Sequence, residues 1–443
     1  CPGPVGSVVG TTVRFVATVR SWARNQQCEP DAVERPNDTA EVAALVMSAA
    51  ASNRPVKVIG AGHSFTAAAM TDGVLVSLGR LGDVVDITGD RVTVQAGIEL
   101  RDLSRLLDEH GLAMPNLGDI NVQSLAGATA TATHGTGRGL GNLATTIEAI
   151  ELVDGRGEVH RFDLATDPDV VRTLAVGVGA FGIVTELTLR VVPAFDLHAK
   201  ETVEPLADVV GGWDSFTRSA DHAEFFFFPG DDRALVKRND RTDEPARPPS
   251  RLAYVRDKYL FENVAFGLAC AIGRRWPSLA PRITNAFAAS ASERDLIDRS
   301  DRVFASPRKV RFVEMEYGIP IDAVPEALAR VRALVASLHH PVLLPIEVRC
   351  SAADDLALST GYGRESGWIA VHQYPGMPYE HFFDTVEQIM SDYDGRPHWG
   401  KLHGQTADVL RERYPRWDDA MALRDRLDPD RTFRNAYLDR VFG

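Results

Sequence analysis

Two residues in the last third of the chain have types and spacing suited to binding a hydroxylated molecule. Glu347 and Arg349 stand two positions apart in a strand predicted over 343–349, so both side chains project to one face. An arginine oriented by a neighbouring carboxylate keeps further donors that can reach substrate hydroxyl groups. The two residues alone favour an ordinary salt-bridged face.

Other polar residues repeat this spacing nearby. His372 and Tyr374 share one face of a predicted strand, and Glu314 and Glu316 share a face of another, so each pair can line a pocket. Lys401 ends the sequence HWGK and is one of only six lysines, because arginine supplies most of the positive charge. An exposed, solubilising lysine is the alternative.

His63 follows a predicted strand and a Gly-x-Gly turn in the sequence VIGAGHSF at 58–65. Such a turn holds the histidine out toward whatever the turn binds, and neutral imidazole is a competent nucleophile. On residue type alone, a single histidine is more often structural or at the surface.

Three glycine-rich segments, 58–65, 126–141 and 177–182, could bring backbone amides close to phosphate oxygens. The third has the complete G-x-G-x-x-G spacing, but strand-like alternation follows at 185–192 and no acidic residue lies about 20 positions on, so a Rossmann-type NAD site is disfavoured. The second segment also fits a turn packed on a sheet. Together the three segments favour a large, phosphate-bearing cofactor.

Composition excludes several protein classes. The 443 residues carry a net charge of −13 with no clustered basic face, which argues against nucleic-acid binding. The chain is 44% hydrophobic, enough for a sizeable core. The apolar run at 264–273 is too short to span a membrane, and a buried helix is favoured over contact with a membrane surface.

The four cysteines, at positions 1, 28, 270 and 350, form no C-x-x-C and no close pair. A disulfide framework or a thiolate metal site is therefore not expected, no metal is predicted, and a reducing, cytoplasmic location is the default.

Periodicity and glycine or proline punctuation predict an α+β protein. The predicted strands are 56–59, 74–77, 84–87, 92–96, 147–152, 183–192, 310–317, 343–349 and 368–374, and the predicted helices are 38–53, 100–110, 324–338 and 380–393. Between 194 and about 310 we predict a loop at 240–250 and then a helical region to Arg302. The tail, 407–443, reads as helical and then irregular.

Six motifs together resemble the vanillyl-alcohol-oxidase-type flavoproteins, and within them the aldonolactone and alditol oxidoreductases. The motifs are GAGHSF at 60–65, MPNLG at 114–118, GATATATHGTG at 127–137, GVGAFGIVT at 177–185, EVR at 347–349 and HWGK at 398–401. The resemblance implies an FAD-binding domain of two subdomains over 1–193, an α+β cap domain over 194–406 that binds substrate, and a C-terminal segment, 407–443, that returns to the FAD domain.

The resemblance also implies the cofactor and its contacts. FAD is expected, joined covalently to His63 through the 8α-methyl carbon of the flavin. The other implied cofactor contacts are Gly60, Ala61, Gly62, Ser64, Phe65, Gly118, Gly127, Thr133, His134, Gly135, Thr136, Gly137, Gly182, Ile183, Val184 and Lys401.

The implied reaction is oxidation of a sugar 1,4-lactone, such as L-gulono-1,4-lactone or D-arabinono-1,4-lactone, at its C2 hydroxyl, to an ascorbate-type product. Arg349 is assigned to alkoxide polarisation, Glu347 to hydroxyl binding and Lys401 to the flavin edge, with His372 and Glu314 as further catalytic candidates. Glu314 replaces a neutral amide common in alditol oxidases, which favours a lactone over a polyol whose terminal hydroxyl is oxidised.

The sequence leaves alternatives open for two questions, the identity of the electron acceptor and whether the protein is an enzyme. Gly118 would leave oxygen a path to the flavin, which favours an oxidase that produces hydrogen peroxide over a lactone dehydrogenase with another acceptor. Asp119 could contact substrate hydroxyls or cap a helix. A non-catalytic flavin-binding module is the rival class, and Glu347, Arg349 and Lys401 argue against it.

Overall fold

The computed structural model describes residues 18–290 and 293–443, and the described part of the chain contains twenty strands. In chain order they are β1 Val19–Arg20, β2 Gln27–Cys28, β3 Ala32–Glu34, β4 Val56–Val58, β5 Val74–Val76, β6 Val84–Thr88, β7 Arg91–Gln95, β8 Leu112–Ala113, β9 Ile147–Val153, β10 Val159–Asp163, β11 Ile183–Arg190, β12 Val192–Pro193, β13 Asp196–Pro205, β14 His222–Phe227, β15 Arg233–Thr242, β16 Arg294–Arg299, β17 Val313–Pro320, β18 Ile346–Ser351, β19 Ser366–Gln373 and β20 Arg396–Pro397.

The α-helices are mostly short. They are α1 Thr39–Ala51, α2 Leu100–Glu109, α3 Leu125–Ala130, α4 Pro168–Leu174, α5 Leu206–Gly211, α6 Trp213–Thr217, α7 Arg251–Tyr254, α8 Phe266–Arg275, α9 Ala280–Ser290, α10 Ser300–Phe304, α11 Val324–Ser337, α12 Glu380–Ser391, α13 Ala407–Arg413, α14 Trp417–Leu427 and α15 Ala436–Phe442. A π-helix, Val255–Ala265, joins α7 to α8, and 3₁₀ turns cover Leu143–Thr146, Pro277–Leu279 and Ile321–Ala323.

Two sheets form the N-terminal part of the fold. A parallel sheet in the order β3-β5-β4 packs against α1, and an antiparallel sheet follows in the order β10-β9-β11-β7-β6. The side chains of β11 alternate between buried and half-buried, which confirms the strand that the sequence predicts after the 177–182 glycines. Helix α2 buries Leu100, Leu103 and Leu107 on one face and ends before Gly111, whose φ of +69° suits the end of a helix.

An antiparallel eight-stranded sheet, in the order β16-β13-β15-β14-β18-β19-β17-β20, forms the second half of the fold. Along β18, Ile346, Val348 and Cys350 join the apolar core that includes residues of α11 and α12. Glu347 and Arg349 therefore lie on the opposite face, and this second face carries the polar residues that the sequence singled out.

The α+β class is confirmed, and most predicted elements appear within a few residues of their predicted bounds. The interpretation of 194–310 is wrong in part, because this stretch contributes β13 to β16 to the large sheet. Strand β14 is buried on nearly every residue, so it lacks the alternation that marks a half-exposed strand. The division into domains at residues 193 and 406 stays a prediction.

The C-terminal tail is helical to Phe442 rather than irregular at its end. Asn435 caps α15 by accepting a hydrogen bond from the backbone N–H of Leu438 at 2.9 Å. Leu423, Leu427, Leu438 and other apolar residues of α14 and α15 join the core of the five-stranded sheet.

The apolar run at 264–273 forms much of α8, but the expectation that it is a buried helix holds for one face only. Ala269, Cys270 and Gly273 are buried, whereas Val264 and Leu268 are exposed. Among the described residues, no helix combines the length and the hydropathy that crossing a membrane requires. Cys28, Cys270 and Cys350 are buried free thiols, and Cys1 lies outside the described residues.

Gly73 tests how closely the parallel sheet is packed. A Cβ on Gly73 would lie 2.2 Å from the Pro55 carbonyl oxygen, which accepts a hydrogen bond from the backbone N–H of Val74 at 2.8 Å. We expect Gly73→Ala to lower the free energy of unfolding by about 1–3 kcal/mol, because the backbone must shift. Gly211→Ala is the control, since no atom lies within 4 Å of its Cβ position. Equal stability of the two variants in chemical denaturation would contradict this packing.

Candidate active site

Two cavities adjoin, of which the larger is lined by residues of the N-terminal half alone and the smaller by residues of both halves of the fold. The larger has a volume of about 310 Å³ and the smaller about 150 Å³. Four residues, His63, Ser64, Gln123 and Thr131, line both. The structure thus places His63 at the junction of a long cleft and a compact polar chamber.

The larger cavity fits an extended cofactor because its walls are made of small residues. A Cβ on Gly60 would lie 2.1 Å from Ser124 Oγ, and Gly182 has a φ of +159° with its Cβ position 2.7 Å from the Val153 carbonyl oxygen. Only glycine leaves this backbone accessible to a ligand. The predicted cofactor residues that line this cavity are Gly60, Ala61, Gly62, His63, Ser64, Gly127, Gly182, Ile183 and Val184.

The 177–182 segment also lines the larger cavity, although its sequence context argues against a Rossmann site. Lys57, which sequence reasoning did not single out as functional, forms part of the floor. Its Nζ donates to the carbonyl oxygens of Gly179 at 2.9 Å and Phe433 at 3.3 Å. Burial lowers the pKa of Lys57 to about 7, with a further contribution from Arg424. A lysine of the cleft floor is therefore held in part by a residue near the C-terminus of the sequence.

Residues of the 126–141 segment lie in different parts of the structure, some at the smaller cavity and some away from both cavities. Thr133 and His134 line the smaller cavity, together with Phe65 and Gly118. Gly135, Thr136 and Gly137 line neither cavity. The Gly137 N–H donates to the Cys350 carbonyl oxygen at 2.9 Å, and a Cβ on Gly135 would lie 2.3 Å from the Leu117 carbonyl oxygen. The structure does not bring these three residues to the cofactor cleft, because Gly135 packs against Leu117, whereas Thr136 and Gly137 join the first half of the fold to β18.

The loop that carries His63 is fixed against the loop that carries Lys401. The Phe65 N–H donates to the Gly400 carbonyl oxygen at 2.7 Å, and the His63 ring stacks on Trp22 with centroids 5.1 Å apart. Burial and the Lys401 charge lower the pKa of His63 to about 4. The imidazole is therefore neutral at physiological pH and keeps the lone pair that a nucleophile needs.

Arg349 is held by carboxylates from three separate parts of the chain. Its guanidinium donates to Glu224 at 2.8 Å and to Asp119 at 2.6 Å, and it contacts Glu347 directly. Burial opposes ionisation of Asp119, but the charges of Arg349, Lys237 and Arg308 hold the pKa of its carboxyl far below the usual range. Asp119 therefore serves the ion pairs, and the helix-capping alternative is not realised.

Glu347 differs in protonation from its neighbours. Burial raises its pKa to about 8, and the nearby Asp119 and Glu224 charges add to this although Arg349 opposes it. At neutral pH the Glu347 carboxyl is mainly protonated, so it can donate a hydrogen bond to an oxygen in the cavity.

Lys401, Glu314 and His372 form a second charged group in the smaller cavity. Lys401 Nζ contacts Glu314, and His372 Nε2 lies 3.4 Å from the same carboxylate. Burial opposes ionisation of Glu314, but Lys401 and His372 lower its pKa to about 2. Burial also opposes the charge on Lys401 and on His372, yet Glu314 raises the pKa of both. All five predicted catalytic residues, Lys401, Arg349, Glu347, His372 and Glu314, line this one cavity.

Several cavity residues were not among the predicted site residues. Glu316 lies beside His134, whose Nε2 is 3.4 Å away, and His398 lines the cavity while its Nδ1 accepts from the Gly400 N–H at 3.0 Å. Burial lowers the pKa of His398 to about 3, so this ring is neutral. Strand alternation already places Glu316 on one face with Glu314, and His398 stands in the HWGK motif, whereas Trp22 and Arg308 have no local sequence signal.

Known proteins and protein families resemble almost the whole chain. The family model described as FAD binding domain matches residues 30–163, and the model described as D-arabinono-1,4-lactone oxidase matches residues 187–441. The chain is 46% identical over 427 residues to the L-gulono-1,4-lactone dehydrogenase of Mycobacterium tuberculosis strain H37Rv, covering 96% of this chain and 98% of that protein. It is 31% identical over 439 residues to the L-gulonolactone oxidase of Bos taurus, covering 96% and 98%.

Solved structures resemble the whole fold. A cholesterol oxidase from B. sterolicum superposes with a TM-score of 0.82 at 20% identity, covering 96% of both chains. At this identity the likeness establishes the fold alone. On the family match over more than half of its length and on its similarity to the mycobacterial protein, the chain belongs to the D-arabinono-1,4-lactone oxidase family of FAD-dependent oxidoreductases.

Proposed function

We propose that this protein oxidises an aldono-1,4-lactone, such as L-gulono-1,4-lactone, at its C2 hydroxyl to the 2-keto lactone. The observation that carries the proposal is the convergence of Lys401, Arg349 and Glu347 in one chamber that meets the cofactor cleft at His63. The names of the relatives, which act on gulonolactone or arabinonolactone, support the substrate class.

The residues of the larger cavity would hold FAD, and FAD supplies the acceptor for the hydride that leaves the carbinol carbon. Arg349 and Lys401 present positive charge to the substrate oxygen. Because Arg349 is buried, Lys401 is half-buried and both are fixed by ion pairs, they stabilise a developing alkoxide with little reorganisation. The protonated Glu347 donates a hydrogen bond to a second substrate oxygen and so orients the lactone.

His372 is the group placed to take the hydroxyl proton. Its Nδ1–H donates to the Pro345 carbonyl oxygen at 2.9 Å, which leaves Nε2 facing the cavity beside Glu314. Nε2 accepts a proton only when the ring is neutral, and Glu314 then stabilises the imidazolium that forms.

We further propose that His63 is joined covalently to the flavin. Its position at the junction of the two cavities, its neutral ring and its fixed loop support this bond. Oxygen is the proposed acceptor, because Gly118 lines the smaller cavity without a side chain to obstruct it. Lactone dehydrogenase activity is the second candidate, favoured by the name of the mycobacterial relative.

A substrate panel tests the reaction. We expect L-gulono-1,4-lactone and D-arabinono-1,4-lactone to be turned over in air with release of hydrogen peroxide, and xylitol and sorbitol to react poorly.

Lys401→Ala should lower kcat by about 10²–10³-fold, whereas the flavin absorbance should stay unchanged. The control is Lys200→Ala, which removes an exposed lysine.

Preference for the polyols would contradict the lactone assignment. Turnover with an artificial acceptor but no peroxide in air would instead make the protein a dehydrogenase. Full activity of Lys401→Ala would remove this residue from the site.

Acid precipitation tests the covalent bond. The wild-type pellet should stay yellow, whereas His63→Ala should release all of its flavin into the supernatant, because only the non-covalent contacts of the cleft remain. His381→Ala, which removes an exposed histidine, should behave as the wild type. A colourless wild-type pellet would disprove the bond.

The pH dependence of turnover tests the protonated state of Glu347. Its pKa is raised to about 8, so the hydrogen-bond donor is present below that pH and is lost as the pH rises through it. We expect kcat/KM to fall through about pH 8 in the wild type. Glu347→Gln keeps a neutral donor and should lack this alkaline limb, and the exposed Glu412→Gln should retain it. An unchanged limb in Glu347→Gln would assign the ionisation to another group.

A further inference from the structure

Large exposed hydrophobic side chains are concentrated in one helical segment. Within the described residues, thirteen such side chains are exposed, and nine of them lie between 252 and 279. These nine are Leu252, Tyr254, Val255, Leu260, Phe261, Val264, Leu268, Trp276 and Leu279. The other four are scattered singly, as is normal for a protein surface, whereas a contiguous apolar patch marks an interaction surface.

The charge of this segment is opposite to that of the chain. Residues 251–282 contain six basic and two acidic residues, a net charge of +4 in a protein of net charge −13. Among the described residues, Arg251, Arg274, Arg275 and Arg282 form no ion pair with a carboxylate, and all four are exposed. The patch therefore presents cations that no carboxylate of the described residues neutralises, beside its apolar side chains.

The segment is firmly attached to the fold. Asn263 is buried and donates to the carbonyl oxygens of Lys258 at 2.6 Å and Pro307 at 2.9 Å, and its Oδ1 accepts from the Lys309 N–H at 2.6 Å. On the inner side of α8, Cys270 packs with Leu343. The exposed apolar side chains therefore lie on the outer side of a segment that is fixed to the rest of the fold.

We propose that residues 251–282 bind the surface of an anionic lipid bilayer. Arginines beside apolar and aromatic side chains are the composition of helices that lie in the membrane interface, where the cations meet lipid phosphates and Trp and Tyr sit at headgroup level. The described helices do not cross a bilayer, so the segment lies on it. A symmetric contact between two copies would bring two faces of charge +4 together, which disfavours self-association as the use of this patch.

The segment 251–282 also lies next to the active site. Phe261, Phe266 and Phe287 line a third cavity of about 420 Å³. This cavity shares Phe226, Arg308 and Pro345 with the smaller cavity of the active site. Phe226 and Arg308 therefore lie between the proposed lipid-binding segment and the smaller cavity of the active site.

Vesicle sedimentation with the holoenzyme tests the proposal. We expect the protein to sediment with phosphatidylcholine vesicles that contain phosphatidylglycerol and to remain in solution with phosphatidylcholine alone. Val264→Ser with Leu268→Ser, at side chains 61% and 62% exposed, should weaken binding about tenfold or more, and so should Arg274→Glu with Arg275→Glu. The control is Val85→Ser with Val159→Ser, at exposures of 52% and 50% elsewhere.

Each variant is also assayed for turnover and thermal unfolding, which should match the wild type because these side chains lie outside the active site. Absence of sedimentation with anionic vesicles would overturn the proposal, as would equal weakening by the control pair. A dimer in light scattering that the Val264 and Leu268 changes dissociate, without vesicle binding, would assign the patch to a second copy instead.

Discussion

The buried guanidinium of Arg349 is the constraint on which the arrangement of the site depends. A charge removed from water is tolerated only when it is closely paired, and removal of one partner leaves the others uncompensated. The partners of Arg349 are Asp119 from the N-terminal half, Glu224 on β14 and Glu347 on its own strand. Glu224 and Glu347 belong to the same sheet as Arg349, so the third carboxylate, Asp119, joins the group only when both halves of the fold have docked. The same docking creates the chamber.

Residues of the same type have different protonation states in this site, because their surroundings differ. Glu314 and Glu347 are both buried, but Glu314 contacts Lys401, whereas Glu347 shares Arg349 with two other carboxylates, so the first ionises and the second stays mainly protonated. His63 and His372 differ in the same way, because the first lies near a cation and the second beside a carboxylate. One chamber thereby holds donors, acceptors and a neutral nucleophile at one pH.

The sequence predicted the catalytic strands because they obey simple rules. Glu347 and Arg349 alternate with core residues along β18, and the glycines at 60 and 182 stand where a Cβ would collide. Strands β13 to β16 were missed because their burial or cross-strand ion pairs, such as that of Lys237 with Glu224, hide the alternation. Trp22 and Arg308 reach the chamber through tertiary packing alone, and Thr136 and Gly137 serve the contact between the halves of the fold, a need that no local pattern reveals.

The floor of the cofactor cleft has a consequence for biosynthesis. Lys57 ends on the carbonyl oxygen of Phe433, and the Val56 N–H donates to that of Thr432 at 2.8 Å, so the second parallel strand pairs with residues made almost four hundred positions later. A chain synthesised only as far as its N-terminal sheets therefore lacks both acceptors, and Lys57 Nζ then has only the Gly179 carbonyl oxygen to bond. The lysine that lines the cleft floor acquires its last fixed hydrogen bond only after residue 433 has been synthesised.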